Sequence, residues 1–149
     1  MTTFDEYFTQ LTSAITKYGN RTVLMMQIGA FYEIYGSDKV LMTEDIVTDV
    51  AKILDMNVGK KQKPEKYVPI FCGFPKNSYE EQRHKLLQAN YTIVRIDQDG
   101  DGTTSGGKKV PRFIGTVESP GTYMESNCLT NILLVIYIKY FETNKTKSI

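Results

Sequence analysis

Residues Thr22–Gly36, TVLMMQIGAFYEIYG, decide how the chain is read. Thr22 to Ile28 is an almost unbroken apolar run rich in methionine. Such a run reads as a strand buried on both faces, with a piece of core helix as the alternative. Gly29-Ala30 interrupts it, and a second segment, Phe31 to Tyr35, follows. Extended backbone alternates its side chains, so Phe31, Glu33 and Tyr35 share one face while Tyr32 and Ile34 take the other. The first face sets a large aromatic and a carboxylate side by side, about 7 Å apart along one strand.

Working outward, 149 residues suit one domain with a sizeable core. The net charge of +1 excludes a global field drawing the chain to nucleic acid or anionic lipid. The two cysteines, Cys72 and Cys128, lie far apart among apolar neighbours, outside any CxxC pattern. They are expected to be buried free thiols in a reducing intracellular compartment. The N-terminus lacks a basic region followed by an apolar one, and no apolar run reaches membrane-span length, so no membrane partner is expected.

Upstream, Thr3 and Glu6 suggest a capping box opening a helix that carries Phe4, Phe8, Leu11 and Ile15 on one side and stops at Gly19. Downstream, a helix from about Thr43 shows Ile46, Val50, Ile53 and Leu54 on one side, with acids in its first turn. Lysine-rich residues 56–67 read as a strand end or hairpin, and Val68 to Phe74 as a short buried strand. Ser78 with Glu81 suggests a second capping box, before a helix whose core contacts are Leu86 and Leu87. Tyr91–Ile96 and Arg112–Val117 complete the strands. The fold class expected is α/β (α+β): a mixed β-sheet flanked by about three helices.

Motifs for chemistry are thin. Gly102 to Lys108 begins like a phosphate-binding loop, but Lys109 stands where a Mg²⁺-binding Ser or Thr belongs, and a strand-like segment follows. Asp97, Asp99, Asp101 and Gly102 match half a calcium loop, whose twelfth position is then Lys108. A hairpin connection is the better reading of residues 97–109. The single histidine, His84, sits in a charged helical segment and is expected to be solvated. Glu80 and Glu81 read as helix N-terminal acids. Glu33 and Asp38 lack a nucleophile or metal cluster beside them, so no catalytic residues and no metal site are assigned.

Four pieces stand in order along the chain: GAFYEIYGSD (29–38), ILDMNVGKK (53–61), VPIFCGFP (68–75) and FIGTVESPGT (113–122). Together they resemble the N-terminal mismatch-recognition domain of the MutS family of DNA mismatch repair proteins. The first is similar to the family's G-x-F-Y-E segment, the third to its strand ending in Gly-x-Pro. The resemblance implies a MutS domain I-like fold over residues 1–122, with 123–149 as the start of a connector domain or a tail. It also implies a non-catalytic domain binding double-stranded DNA with mismatches or small loops, in company with other domains of a MutS-like protein.

On that resemblance Phe31 is a wedge entering the minor groove and Glu33 a carboxylate contacting a base. Tyr32 and Ile34 then face inward, and Tyr35 is open between groove and core. Lys60, Lys61 and Lys76 are candidate backbone contacts, with plain solvent exposure as the alternative. No cofactor is expected in this chain, ATP and Mg²⁺ belonging to a full-length parent. The β-prone run at 129–141 resembles the connector's first strand and is a candidate for self-association. Two rival functions are a protein-interaction module without DNA binding and a calcium- or nucleotide-binding domain using the 97–109 loop.

Overall fold

Gly29, at φ +59°, turns the chain between strands β1 (Thr22–Ile28) and β2 (Phe31–Gly36), which pair antiparallel with Met26 opposite Glu33 and Ile28 opposite Phe31. A two-residue loop with glycine first matches the right-handed twist of the flanking strands. The computed structural model describes residues 2–61, 66–67, 69–100 and 110–122. Helix α1 (Thr3–Tyr18) precedes the hairpin. After it come α2 (Thr43–Leu54), β3 (Gly59–Lys60), β4 (Ile70–Pro75), a 3-10 turn (Lys76–Ser78), α3 (Tyr79–Gln88), β5 (Thr92–Gln98) and β6 (Arg112–Glu118). The strands form one sheet in the order β3-β4-β2-β1-β5-β6, antiparallel except for the parallel β1–β5 pair. This is the expected mixed sheet with three helices.

The central position of β1 explains its apolar run, since both its faces are covered. Val23 and Met25 join Tyr32, Ile34, Cys72, Phe74 and Ile93 in a core under α2 and α3, while Leu24 and Met26 join Tyr35, Val94 and Ile96 under α1. Cys72 is a buried free thiol whose pKa burial pushes up to about 12. Leu86 and Leu87 are buried as expected. Cys128, residues 129–141 and most of the 97–109 loop lie outside the described residues.

Three local expectations need correction. The capping box of α1 uses Thr2 and Asp5: Thr2 Oγ1 accepts from the Asp5 N–H at 3.1 Å, and Asp5 Oδ2 accepts from the Thr2 N–H at 2.9 Å. Tandem threonines allow either frame, and the earlier one leaves Glu6 to approach Arg112 Nη1 at 3.8 Å. Ser78 makes no cap hydrogen bond, because the 3-10 turn brings it to φ −90°, ψ 2° instead of the extended geometry a cap requires. Its neighbours Glu80 and Glu81 pair with Arg83 at 2.5 Å and Lys85 at 2.6 Å. His84 is half-buried and has an interaction partner, so it is less open to solvent than its charged segment suggested.

The α1 cap sets an acid limit. The Thr2 N–H, the Tyr67 hydroxyl and the Thr2 hydroxyl all stabilise the charged form of Asp5, lowering its pKa from 3.8 to about 2. A depressed carboxyl pKa contributes stability above its unfolded value and loses it as pH falls through the folded value. The part of the stability gap between the parent and Asp5→Ala that comes from this shift should therefore be present above pH 3.8, shrink below it, and be lost as pH falls through about 2. Urea titrations followed by circular dichroism across that range measure it.

Candidate nucleic-acid interface

Period-two alternation along β2 separates its side chains as read from the sequence. Tyr32 and Ile34 are buried toward α2 and α3, while Phe31, at the hairpin end, leaves 48% of its surface exposed. Phe31 stands opposite Pro75 of β4, and the Lys76 N–H donates to the Ala30 carbonyl at 2.9 Å. The hairpin tip, Phe31 and exposed Lys76 thus share one end of the sheet. Two glutamines brace that end. Gln27 Nε2 donates to the Gly29 carbonyl and Gln98 Oε1 accepts from the Gly29 N–H, both at 3.0 Å, while Gln27 Oε1 accepts from the Gln98 N–H. Nothing local to either residue announces this, because the partners are about seventy positions apart and meet only through the β1–β5 pairing.

Glu33 shares the Phe31 face but does not project freely, its side chain being 15% exposed. Its Oε2 accepts from the Tyr35 hydroxyl and from Lys61 Nζ, the latter at 3.2 Å. Tyr35 belongs to the core: its ring meets the rings of Phe4 and Tyr7 edge-on, each at 5.0 Å, and its N–H donates to the Tyr7 hydroxyl at 3.0 Å. Burial, then the bond to Glu33, hold the Tyr35 hydroxyl well above the usual tyrosine range, so it remains a donor. Lys61 Nζ lies over the Phe71 ring at 4.1 Å, a cation–π contact that joins it to the same cluster.

The remaining candidates are dispersed. Lys60 is exposed but stands opposite Ile70, five residues along β4 from Pro75, roughly 17 Å from the Phe31 end. Asp38 is exposed and, among the described residues, accepts a long, 3.4 Å contact from Ser37 Oγ. Asp97, first of the loop acids, accepts from Tyr32 at 2.6 Å and from Arg95 at 3.0 Å, which makes it a brace for the buried tyrosine. Among the described residues no cluster of three or more His, Cys, Asp or Glu could hold a metal ion. No helix among them is long and apolar enough to cross a membrane.

A family model described as MutS domain I matches residues 3–127. The chain belongs to the MutS domain I family. It is 31% identical over 150 residues to a putative DNA mismatch repair protein MutS homologue of Acanthamoeba polyphaga mimivirus, a match covering 92% of this chain and 12% of that protein. With the DNA mismatch repair protein MutS of Leptospira interrogans it shares 30% identity, over 85% of this chain and 14% of that protein. The MutS of Nostoc punctiforme is 27% identical over 72% of this chain and 11% of its own length. The chain therefore spans 11–14% of these relatives.

Within this MutS domain I the Gly-x-Pro piece has a steric task that the sequence reading missed. Gly73 lies opposite Glu33, and a Cβ on it would come 2.8 Å from the Tyr32 carbonyl oxygen and 3.2 Å from Glu33 Cγ. The absent side chain is what admits the Glu33 stem beside β4. Only the register of β2 on β4 reveals that partner. Gly73→Ala should destabilise the fold by about 1–3 kcal/mol through overpacking. A lowered urea midpoint at unchanged slope would be the measure of it.

Proposed function

We infer that this chain is the mismatch-recognition domain of a DNA mismatch repair protein, acting by insertion of Phe31 into the minor groove with Glu33 beside it. The observation that carries this reading is the half-exposed phenyl ring at a braced hairpin tip. An apolar ring there can wedge open a single base step and kink the duplex toward the major groove. Unstacking costs a few kcal/mol and costs less where pairing is already faulty, so the ring reports deformability and needs no sequence readout. The names of the relatives support the same reading.

In this mechanism Glu33 accepts a hydrogen bond from a base edge and, being anionic, disfavours regular duplex whose phosphates it would approach. Lys76 beside the tip is the cation best situated for a phosphate, while Lys60 would contact the backbone farther along. Lys61 is engaged by Glu33 and contributes through it. With a net charge of +1, few phosphates are neutralised, so binding by the chain alone is weak and falls with salt. Residues 123–149, of which 123–127 still fall within the MutS domain I match, are the start of the connector domain of a longer parent or a tail. That parent's ATPase domain would handle ATP and Mg²⁺, leaving this domain non-catalytic.

Phe31→Ala should weaken binding to a mispaired duplex by about 1–3 kcal/mol, the range for loss of one aromatic–base stack, and change binding to matched duplex little. Low-salt mobility-shift titrations of both duplexes read this directly. Equal affinity of the variant and the parent for the mispaired duplex would remove the wedge assignment.

A further inference from the structure

Glu33 presents an asymmetry that the proposed function leaves unused. Both of its contacts, from the Tyr35 hydroxyl and Lys61 Nζ, fall on Oε2, and among the described residues Oε1 has no partner. The two donors differ in kind. Tyr35 cannot swing, because its ring is held edge-on by Phe4 and Tyr7 and its backbone N–H is tied to the Tyr7 hydroxyl, which itself donates to the Leu24 carbonyl at 2.9 Å. Lys61 is a cation on a flexible stem, 35% exposed, resting on the Phe71 ring. A fixed neutral donor sets direction, while a cation lowers the cost of keeping a largely covered carboxylate charged.

We propose that Tyr35 and Lys61 are positioning residues for Glu33: together they occupy Oε2, aim Oε1 outward as the single acceptor offered to a base, and balance the carboxylate's charge. The proposal rests on the mismatch reading above and adds to it the device that makes the acid selective. A carboxylate free to rotate would present either oxygen and could retreat from the duplex. One pinned through Oε2 meets the duplex with a fixed acceptor, which is satisfied by a displaced base donor and left unpaired against regular duplex. Leaving such a group unpaired is unfavourable, and that difference is discrimination. Lys61 thereby acts through Glu33 and not as a phosphate contact.

A double-mutant cycle on the full 149-residue chain tests this, using mispaired and matched duplexes of equal length. Tyr35→Phe keeps the ring and removes only the hydroxyl. It should lower the mispaired-to-matched affinity ratio roughly two- to tenfold, the scale of one net hydrogen bond, and should leave the ratio unchanged when Glu33→Gln is already present. Lys61→Met, at a partly exposed site, provides a second arm: its effect on the ratio should likewise vanish in the Glu33→Gln background. A Lys61 that touched phosphate would weaken both duplexes alike and reduce the salt slope, whatever stands at residue 33. Either that result, or an unchanged ratio for Tyr35→Phe, would overturn the positioning role while leaving the Phe31 wedge intact. Equal affinity of the parent for both duplexes would overturn the mismatch reading and this proposal together.

Discussion

The ring of Tyr35, set edge-on between Phe4 and Tyr7 beneath α1, is the contact on which the rest of the molecule depends. It locks which face of β2 looks toward α1. Because strand side chains alternate with a period of two, a one-residue slip would exchange the faces, turning Ile34 toward α1 and Tyr35 toward α2 and α3. The Tyr7 hydroxyl reinforces the register by bridging the Leu24 carbonyl of β1 and the Tyr35 N–H of β2. A single helix side chain thus ties the two central strands to α1.

From that register the functional face follows. With Tyr35 inward at one end, Glu33 comes to the rim and Phe31 passes beyond the covered region of the sheet, a gradient from 3% to 48% exposure along one strand face. The neighbouring strand supplies what the gradient requires. Phe71 lies beside Tyr35, Gly73 leaves room at Glu33, and Pro75 stands opposite Phe31. Large, absent and rigid side chains on β4 answer aromatic, acid and aromatic on β2.

The other face follows the same logic with different chemistry. Tyr32 is buried under α3 beside Tyr79, and its hydroxyl reaches Asp97 at 2.6 Å on β5, which Arg95 also holds. A buried hydroxyl without a partner would be costly, so the first acid of the loop is consumed in satisfying it. The half-motif for calcium at Asp97 therefore belongs to the support for β2. The hairpin tip is braced similarly by Gln27 and Gln98, whose amides serve the Gly29 backbone.

Much of this was legible in the residues alone. The apolar run of β1 pointed to a doubly covered strand, alternation in FYEIY set Tyr32 and Ile34 on the face opposite Phe31 and Glu33, and four ordered motifs pointed to the MutS family, because local periodicity and short motifs are properties of neighbouring residues. The choice between Thr2 and Thr3 as helix cap was not legible, since either frame satisfies the same pattern. Nor was the failure of Ser78 to cap, which depends on the 3-10 turn before it. What only the tertiary structure decided are the relations between distant segments: Tyr35 in the core, Lys61 on Glu33, Gly73 clearing the acid's stem, and two glutamines from different strands holding one turn. Each depends on strand order and register, set by burial on both faces of the sheet at once, and no window of sequence contains that information.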